Sequence, residues 1–225
     1  HHMEKEFVVR LLDIKQVTHN VKRFRFEKPK GYHFNPGQAT DVCVNKPGWE
    51  KEKRPFTFTC LTDDPYLEFT LKRYPDHHGV TDQLHQLEVG DELILHDVWG
   101  AIEYKGPGCF IAGGAGITPF LAILRQLRRA GESRGNVLYF SNRMAEDVIL
   151  EEELHGILGG NAHFILSREE KEGYEHGHID GEFLKRNVSD FKQPFYVCGP
   201  DKMIADVNGL LTGLGASAES LVFEK

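Results

Sequence analysis

The chain has 225 residues, room for one large domain or two small ones with ample material for a core. Its 27 Lys and Arg against 34 Asp and Glu give a formal charge of −7, which argues against a general nucleic-acid binder. No apolar run is long enough to span a bilayer and no basic-then-apolar leader opens the chain, so a cytoplasmic monomer without a membrane partner is expected. His1 and His2 read as a tag remnant. Cys43, Cys60, Cys109 and Cys198 are scattered with no C-x-x-C, so no metal site is spelled out and reduced thiols are the expectation.

Residues 3–105 read mostly as strands. Residues 7–12 form the first, and in 21–27 Phe24 and Phe26 share one face while Arg23 and Arg25 share the other. Residues 38–44 follow, then a strand in which Leu67, Phe69 and Leu71 alternate, then residues 92–95. Turn residues punctuate them at 35–37, 46–48 and 63–65. Short strands at this spacing predict a small antiparallel barrel, interrupted by one helix over 80–87.

After a turn-rich joint at 105–108 the period changes. Residues 110–113 are an apolar run that becomes glycines, and beyond Pro119 the residues Phe120, Leu121, Leu124 and Leu127 recur at helical spacing. Strands over 137–140, 163–166 and 195–198 alternate with helices over 148–157, 182–186 and 202–211, and 221–223 closes the chain. This alternation predicts a parallel α/β sheet over 106–225, whose ligands sit at the carboxyl ends of its strands.

Four stretches carry chemistry. Gly114-Ala115-Gly116-Ile117-Thr118-Pro119 turns a strand into a helix, leaving amide donors and a helix dipole that suit a phosphate. Arg54-Pro55-Phe56-Thr57 offers a fork for a diphosphate, an aromatic for a planar ring and a hydroxyl for a ring nitrogen. Gly79 and Thr81 open a short helix and offer donors to a second phosphate. Cys198-Gly199-Pro200 ends a strand and opens a helix, and is expected to expose the thiol in the same crevice as the glycine turn. Ser141, Arg143, Ser167 and Arg168 end two strands of the parallel sheet, with no carboxylate directly after the first to hold a ribose 2′-hydroxyl. A hydroxyl and a fixed positive fork suit a 2′-phosphate, which favours NADPH, with NADH as the alternative.

In this order the motifs resemble the ferredoxin–NADP⁺ reductase superfamily, over nearly the whole chain. The resemblance implies a FAD-binding barrel at 3–105 and an NAD(P)-binding domain at 106–225. Arg54, Phe56 and Thr57 fall on its R-x-[YF]-[ST] motif, and Gly79 and Thr81 on G-x-x-[ST]. Gly114, Gly116 and Pro119 fall on G-x-G-x-x-P, and Cys198, Gly199 and Pro200 on C-G-[PD]. It also implies cofactor contacts from Lys72, Val80 and the terminal aromatic Phe223, and proton delivery by Glu224. Thr57 and Cys198 are implied to act at the flavin and the nicotinamide. The implied reaction passes a hydride from NADPH to FAD N5, then single electrons to a small acidic carrier, a ferredoxin or flavodoxin. A local surplus of cations (Lys5, Arg10, Lys15, Lys22, Arg23, Arg25, Lys28 and Lys30) is expected to dock that carrier. The alternatives are a free-flavin reductase and a non-catalytic dinucleotide-binding regulatory module.

Overall fold

The computed structural model describes residues 4–223, and the chain divides into two units, 1–101 and 102–225. The first unit is built from β1 (Phe7–Thr18), β2 (Val21–Glu27), β3 (Ala39–Val44), β4 (Arg54–Thr57), β5 (Tyr66–Lys72), α1 (Val80–His85) and β6 (Glu92–Trp99). Its strands pair antiparallel in the order β4-β3-β6-β1-β2-β5. Thr59 N–H donates to Glu68 O at 2.9 Å, which links the chain leaving β4 to β5 at the opposite edge. Alternation on β2 places Phe24 and Phe26 inside, and the register sets Phe24 opposite Phe69. Phe58 stacks on Phe34 at 4.4 Å and on Phe69 at 5.1 Å, which fills the centre.

The opposite face of β2 gives its arginines partners within the chain. Glu68 is only 2% exposed, and a buried carboxylate requires partners. Arg25 Nε donates to it at 2.9 Å, Thr59 Oγ1 at 2.7 Å, and Arg23 bridges Asp13 and Glu68. Lys22 Nζ donates to His85 O at 2.8 Å, and Lys28 Nζ to Thr62 O at 2.5 Å. Lys22, Arg23, Arg25 and Lys28 are therefore engaged in holding the barrel together.

The second unit holds β7 (Cys109–Gly113), α2 (Thr118–Ala130), β8 (Val137–Asn142), α3 (Glu151–Leu158), β9 (Ala162–Leu166), β10 (Glu175–His176), α4 (Gly181–Asn187), β11 (Phe195–Cys198), α5 (Asp201–Gly213) and β12 (Leu221–Phe223). The sheet is parallel in the order β10-β9-β8-β7-β11-β12. The chain runs outward from β7 to β10, then returns to β11 on the other side of β7. The switch point lies between β7 and β11, where an open α/β sheet binds its ligands. Ile111, Tyr139, Ile165 and Val197 pack on Phe183, Leu184, Val207 and Leu211 of α4 and α5. Phe110 meets Phe120 of α2 edge-on at 5.0 Å and stacks on Tyr196 at 4.4 Å.

The segment entering this unit is bonded into it. The Tyr196 hydroxyl accepts from Lys105 N at 2.8 Å and donates to Gly106 O at 2.7 Å. Asn136 Oδ1 accepts from Tyr104 and from Gly108 N. Among the described residues no helix is long and apolar enough to cross a membrane.

Candidate functional site

The glycine turn after β7 has a separate physical reason at each position. Gly114 sits at φ +53°, the left-handed region that glycine adopts without a side-chain clash. Gly114–Ile117 then winds as a 3₁₀ turn into α2, with Pro119 in its first turn. A Cβ on Gly116 would stand 2.6 Å from Gly199 N and closer still to the Cys198 carbonyl. The Gly114–Pro119 and Cys198–Pro200 segments are therefore packed backbone to backbone. Ala115 and Thr118 are half-buried and Ile117 is fully buried. Cys198 is 2% exposed, which overturns the expected exposed thiol. It shares a strand face with Tyr196 and is covered on the side where α2 packs.

Gly113 and Gly199 leave space for Met203. A Cβ on Gly113 would overlap the Met203 sulfur, and one on Gly199 would lie 2.8 Å from it. Met203 in turn lines a hollow of about 910 Å³ together with Ser141, Arg143, His178, Pro200 and Leu210. Ser141 and Arg143 were expected there. His178 and Met203 were missed by the sequence reading. Pro200, Met203, Val207 and Leu210 recur at three and four residues, and that spacing was the available signal.

The ends of β8 and β9 are tied side by side. Ser167 N donates to Asn142 O at 2.9 Å, and Arg168 N to Arg143 O at 2.9 Å. Both arginines are exposed, while Ser141 and Ser167 are half-buried. Arg168 does not line the hollow. Glu169, one of the acids crowding this loop, turns inward and accepts from Ala145 N at 2.9 Å. Asn142 is 8% exposed, and its Nδ2 has no hydrogen-bond partner.

In the first unit, β3 pairs β4 and lies against α1, so Arg54 and the start of α1 belong to neighbouring elements. Arg54 and Pro55 are exposed, Phe56 is half-buried against Phe69 at 6.0 Å, and Thr57 is 7% exposed. Gly79 is the N-cap of α1 and Val80 is buried. Thr81 Oγ1 accepts from Tyr74 N at 3.2 Å, which leaves its proton to donate outward. Lys72 Nζ lies 5.2 Å above the ring of Tyr74, itself 41% exposed and missed from sequence. An arginine fork, a lysine, a hydroxyl and a helix-start amide are donors that fit a diphosphate, and Phe56 and Tyr74 are flat surfaces that fit ring systems. On the rim of the hollow, Ser141 and Arg143 are donors that fit a phosphate or ribose of a dinucleotide. Phe223 extends β12 beside Val197 through its backbone, and Glu224 lies outside the described residues.

The comparisons follow this division. Residues 8–104 match the oxidoreductase FAD-binding domain and residues 110–209 the oxidoreductase NAD-binding domain. The chain is 31% identical over 223 residues to NADH-cytochrome b5 reductase 2 of Emericella nidulans, covering 89% of this chain and 68% of that protein. The chain belongs to the ferredoxin–NADP⁺ reductase superfamily. A second relative, the reductase component of propane 2-monooxygenase from Rhodococcus jostii, is 27% identical over 96% of this chain and 62% of its own length. The chain thus spans about two thirds of these reductases. The same superfamily fold appears in the flavohem-like FAD/NAD-binding domain of nitric oxide dioxygenase from Vibrio cholerae, with a TM-score of 0.85 at 20% identity, covering 96% of this chain and 97% of that one.

Proposed function

We propose that this reductase holds FAD on its first unit and NADPH on its second, and delivers single electrons to a separate carrier protein. The observation that carries the reading is the hollow at the carboxyl end of β8, beside the glycine turn and rimmed by Ser141 and Arg143. With both cofactors bound, the nicotinamide supplies a hydride to the flavin, and the flavin supplies electrons onward one at a time. Arg54, Lys72, Gly79 and Thr81 hold the flavin diphosphate, Phe56 lies on the ring system, and Thr57 holds a proton toward its nitrogens. The amides of Gly114–Thr118 hold the dinucleotide diphosphate, and the hollow takes its adenosine half. Cys198 acts through its backbone, which backs Gly116.

The acceptor is a small acidic carrier of the ferredoxin or flavodoxin kind. What supports a protein acceptor is that relatives carry names such as the reductase component of propane 2-monooxygenase and NADH-cytochrome b5 reductase 2. The second name contains NADH. NADPH is favoured here because Arg143 and Arg168 stand on adjoining strand ends, each a fixed positive fork of the kind that suits a 2′-phosphate. Steady-state kcat/KM for the two nucleotides, measured side by side, tests this. Arg168→Ala is expected to lower the NADPH value about tenfold, as loss of one charge-assisted hydrogen bond would, with NADH little changed. An equal loss for both nucleotides would remove the 2′-phosphate assignment.

A further inference from the structure

The segment from the end of β5 to α1 is fixed by hydrogen bonds more than by packing. Residues 73–76 and 78 are exposed and bury little apolar surface. Arg73 N donates to Asn20 O at 2.8 Å, and Tyr74 N to Thr81 Oγ1 at 3.2 Å. Arg73 Nε donates to Asp82 Oδ1 at 2.8 Å, and Gln86 Nε2 to Asp82 Oδ2 at 3.2 Å. Asp82 is 7% exposed, on a short helix whose Val80 and Leu84 are also buried. A carboxylate is costly there unless it is paired, and each of its oxygens has a donor. Such a pair adds little net stability against apolar side chains of similar volume, but it dictates where its partner sits. The donors Lys72 and Thr81 lie beside the two ends of this tether. Lys72 directly precedes Arg73, and Thr81 directly precedes Asp82. Both also touch Tyr74: Lys72 Nζ lies 5.2 Å from its ring centre, and Thr81 Oγ1 accepts from its backbone N–H.

We infer that Asp82, acting through Arg73, is a positioning residue that aligns Lys72 and Thr81 on the flavin diphosphate. The inference rests on the reading that the first unit holds FAD by those two side chains. Without the charged tether, the exposed chain after β5 keeps only its backbone hydrogen bonds to α1 and to the β1–β2 turn. Lys72 and Thr81 then have to be ordered by the ligand, and that ordering costs affinity. Phe56 and Thr57 stand on β4, away from this segment, so contacts to the flavin ring do not depend on the tether. The effect is therefore confined to ligands that carry the diphosphate.

The test is fluorescence titration of the full chain, freed of flavin, with FAD and with riboflavin, which has the same ring system and no diphosphate. The double variant Arg73→Met with Asp82→Leu replaces the pair by apolar side chains of similar volume, so its denaturation midpoint is expected to stay near the wild type. Its FAD affinity is expected to fall about tenfold, the size of one weakened hydrogen bond to a charged group, with riboflavin affinity little changed. Asp82→Asn still accepts from Arg73 but without the charge, and is expected to lose about threefold on FAD alone. Equal losses for FAD and riboflavin in a folded variant would overturn the inference, as would wild-type FAD affinity in the double variant. If the double variant does not fold, Asp82→Asn decides: a wild-type ratio of the two affinities overturns the inference, and a lowered ratio upholds it. If the wild type binds FAD no more tightly than riboflavin, the diphosphate reading itself fails and this inference fails with it.

Discussion

Gly116 and Gly113 are both glycines for lack of room, but what occupies the space differs, and so do the consequences of a methyl. At Gly116 the neighbours are backbone atoms of Cys198 and Gly199, which cannot swing aside. Gly116→Ala is expected to cost about 3 kcal/mol, the upper range for overpacking, read as a lowered denaturation midpoint. At Gly113 the neighbour is the flexible end of Met203. Gly113→Ala is expected to cost about 1 kcal/mol but to push the thioether into the hollow, weakening nucleotide binding more than stability. Equal midpoints for the two variants would contradict this division. His85 gives a pH test in the other unit. It is buried, donates from Nε2 to Leu71 O at 2.9 Å, and desolvation holds its pKa down to about 4 from 6.5. The unfolded chain therefore takes up this proton as pH falls through 6.5, and the folded chain only near 4. Stability from this group is complete above that window and is lost as the pH drops through it. Denaturation midpoints at pH 7 and pH 5 should differ more in the wild type than in His85→Gln.

At the scale of elements, the barrel depends on a strand face that looks like surface in the sequence. The alternation of Phe24 and Phe26 against Arg23 and Arg25 is legible, and so are the apolar positions of β5. Sequence spacing does not reveal that Glu68, on a third strand, is the common partner of those arginines, because the register between β2 and β5 sets it. Glu68→Ala is expected to cost about 2–3 kcal/mol by removing the shared partner of Arg23, Arg25 and the Thr59 hydroxyl, measured by chemical denaturation. A loss below about 0.5 kcal/mol would mean the cluster is only a screened surface pair. The two-residue strand β10 escaped the sequence reading for a related reason. Glu175 and His176 have no apolar periodicity, and their strand character comes from pairing with Ile165 and Leu166. Helix termini were legible where local chemistry sets them, as at Pro119 in the first turn of α2. Cys198 was misread because Gly199-Pro200 marks a sharp turn without indicating which face the preceding side chain takes.

At the scale of the whole chain, the change from strand spacing to strand–helix alternation placed a barrel before a parallel sheet. The motif order assigned the superfamily, because each motif is a short-range device for holding a phosphate or a ring. The hollow was only half legible: Ser141, Arg143 and Pro200 end strands or open helices, whereas His178 and Met203 reach it only through the packing of α5 and the loop before α4. The central claim is that one unit keeps FAD and the other presents NADPH to reduce it. The visible spectrum of the protein after gel filtration, before and after anaerobic addition of NADPH, tests that claim most directly. The account predicts flavin absorption that survives the column and bleaches on mixing. A colourless protein, or a yellow one whose absorption NADPH leaves unchanged, would contradict it.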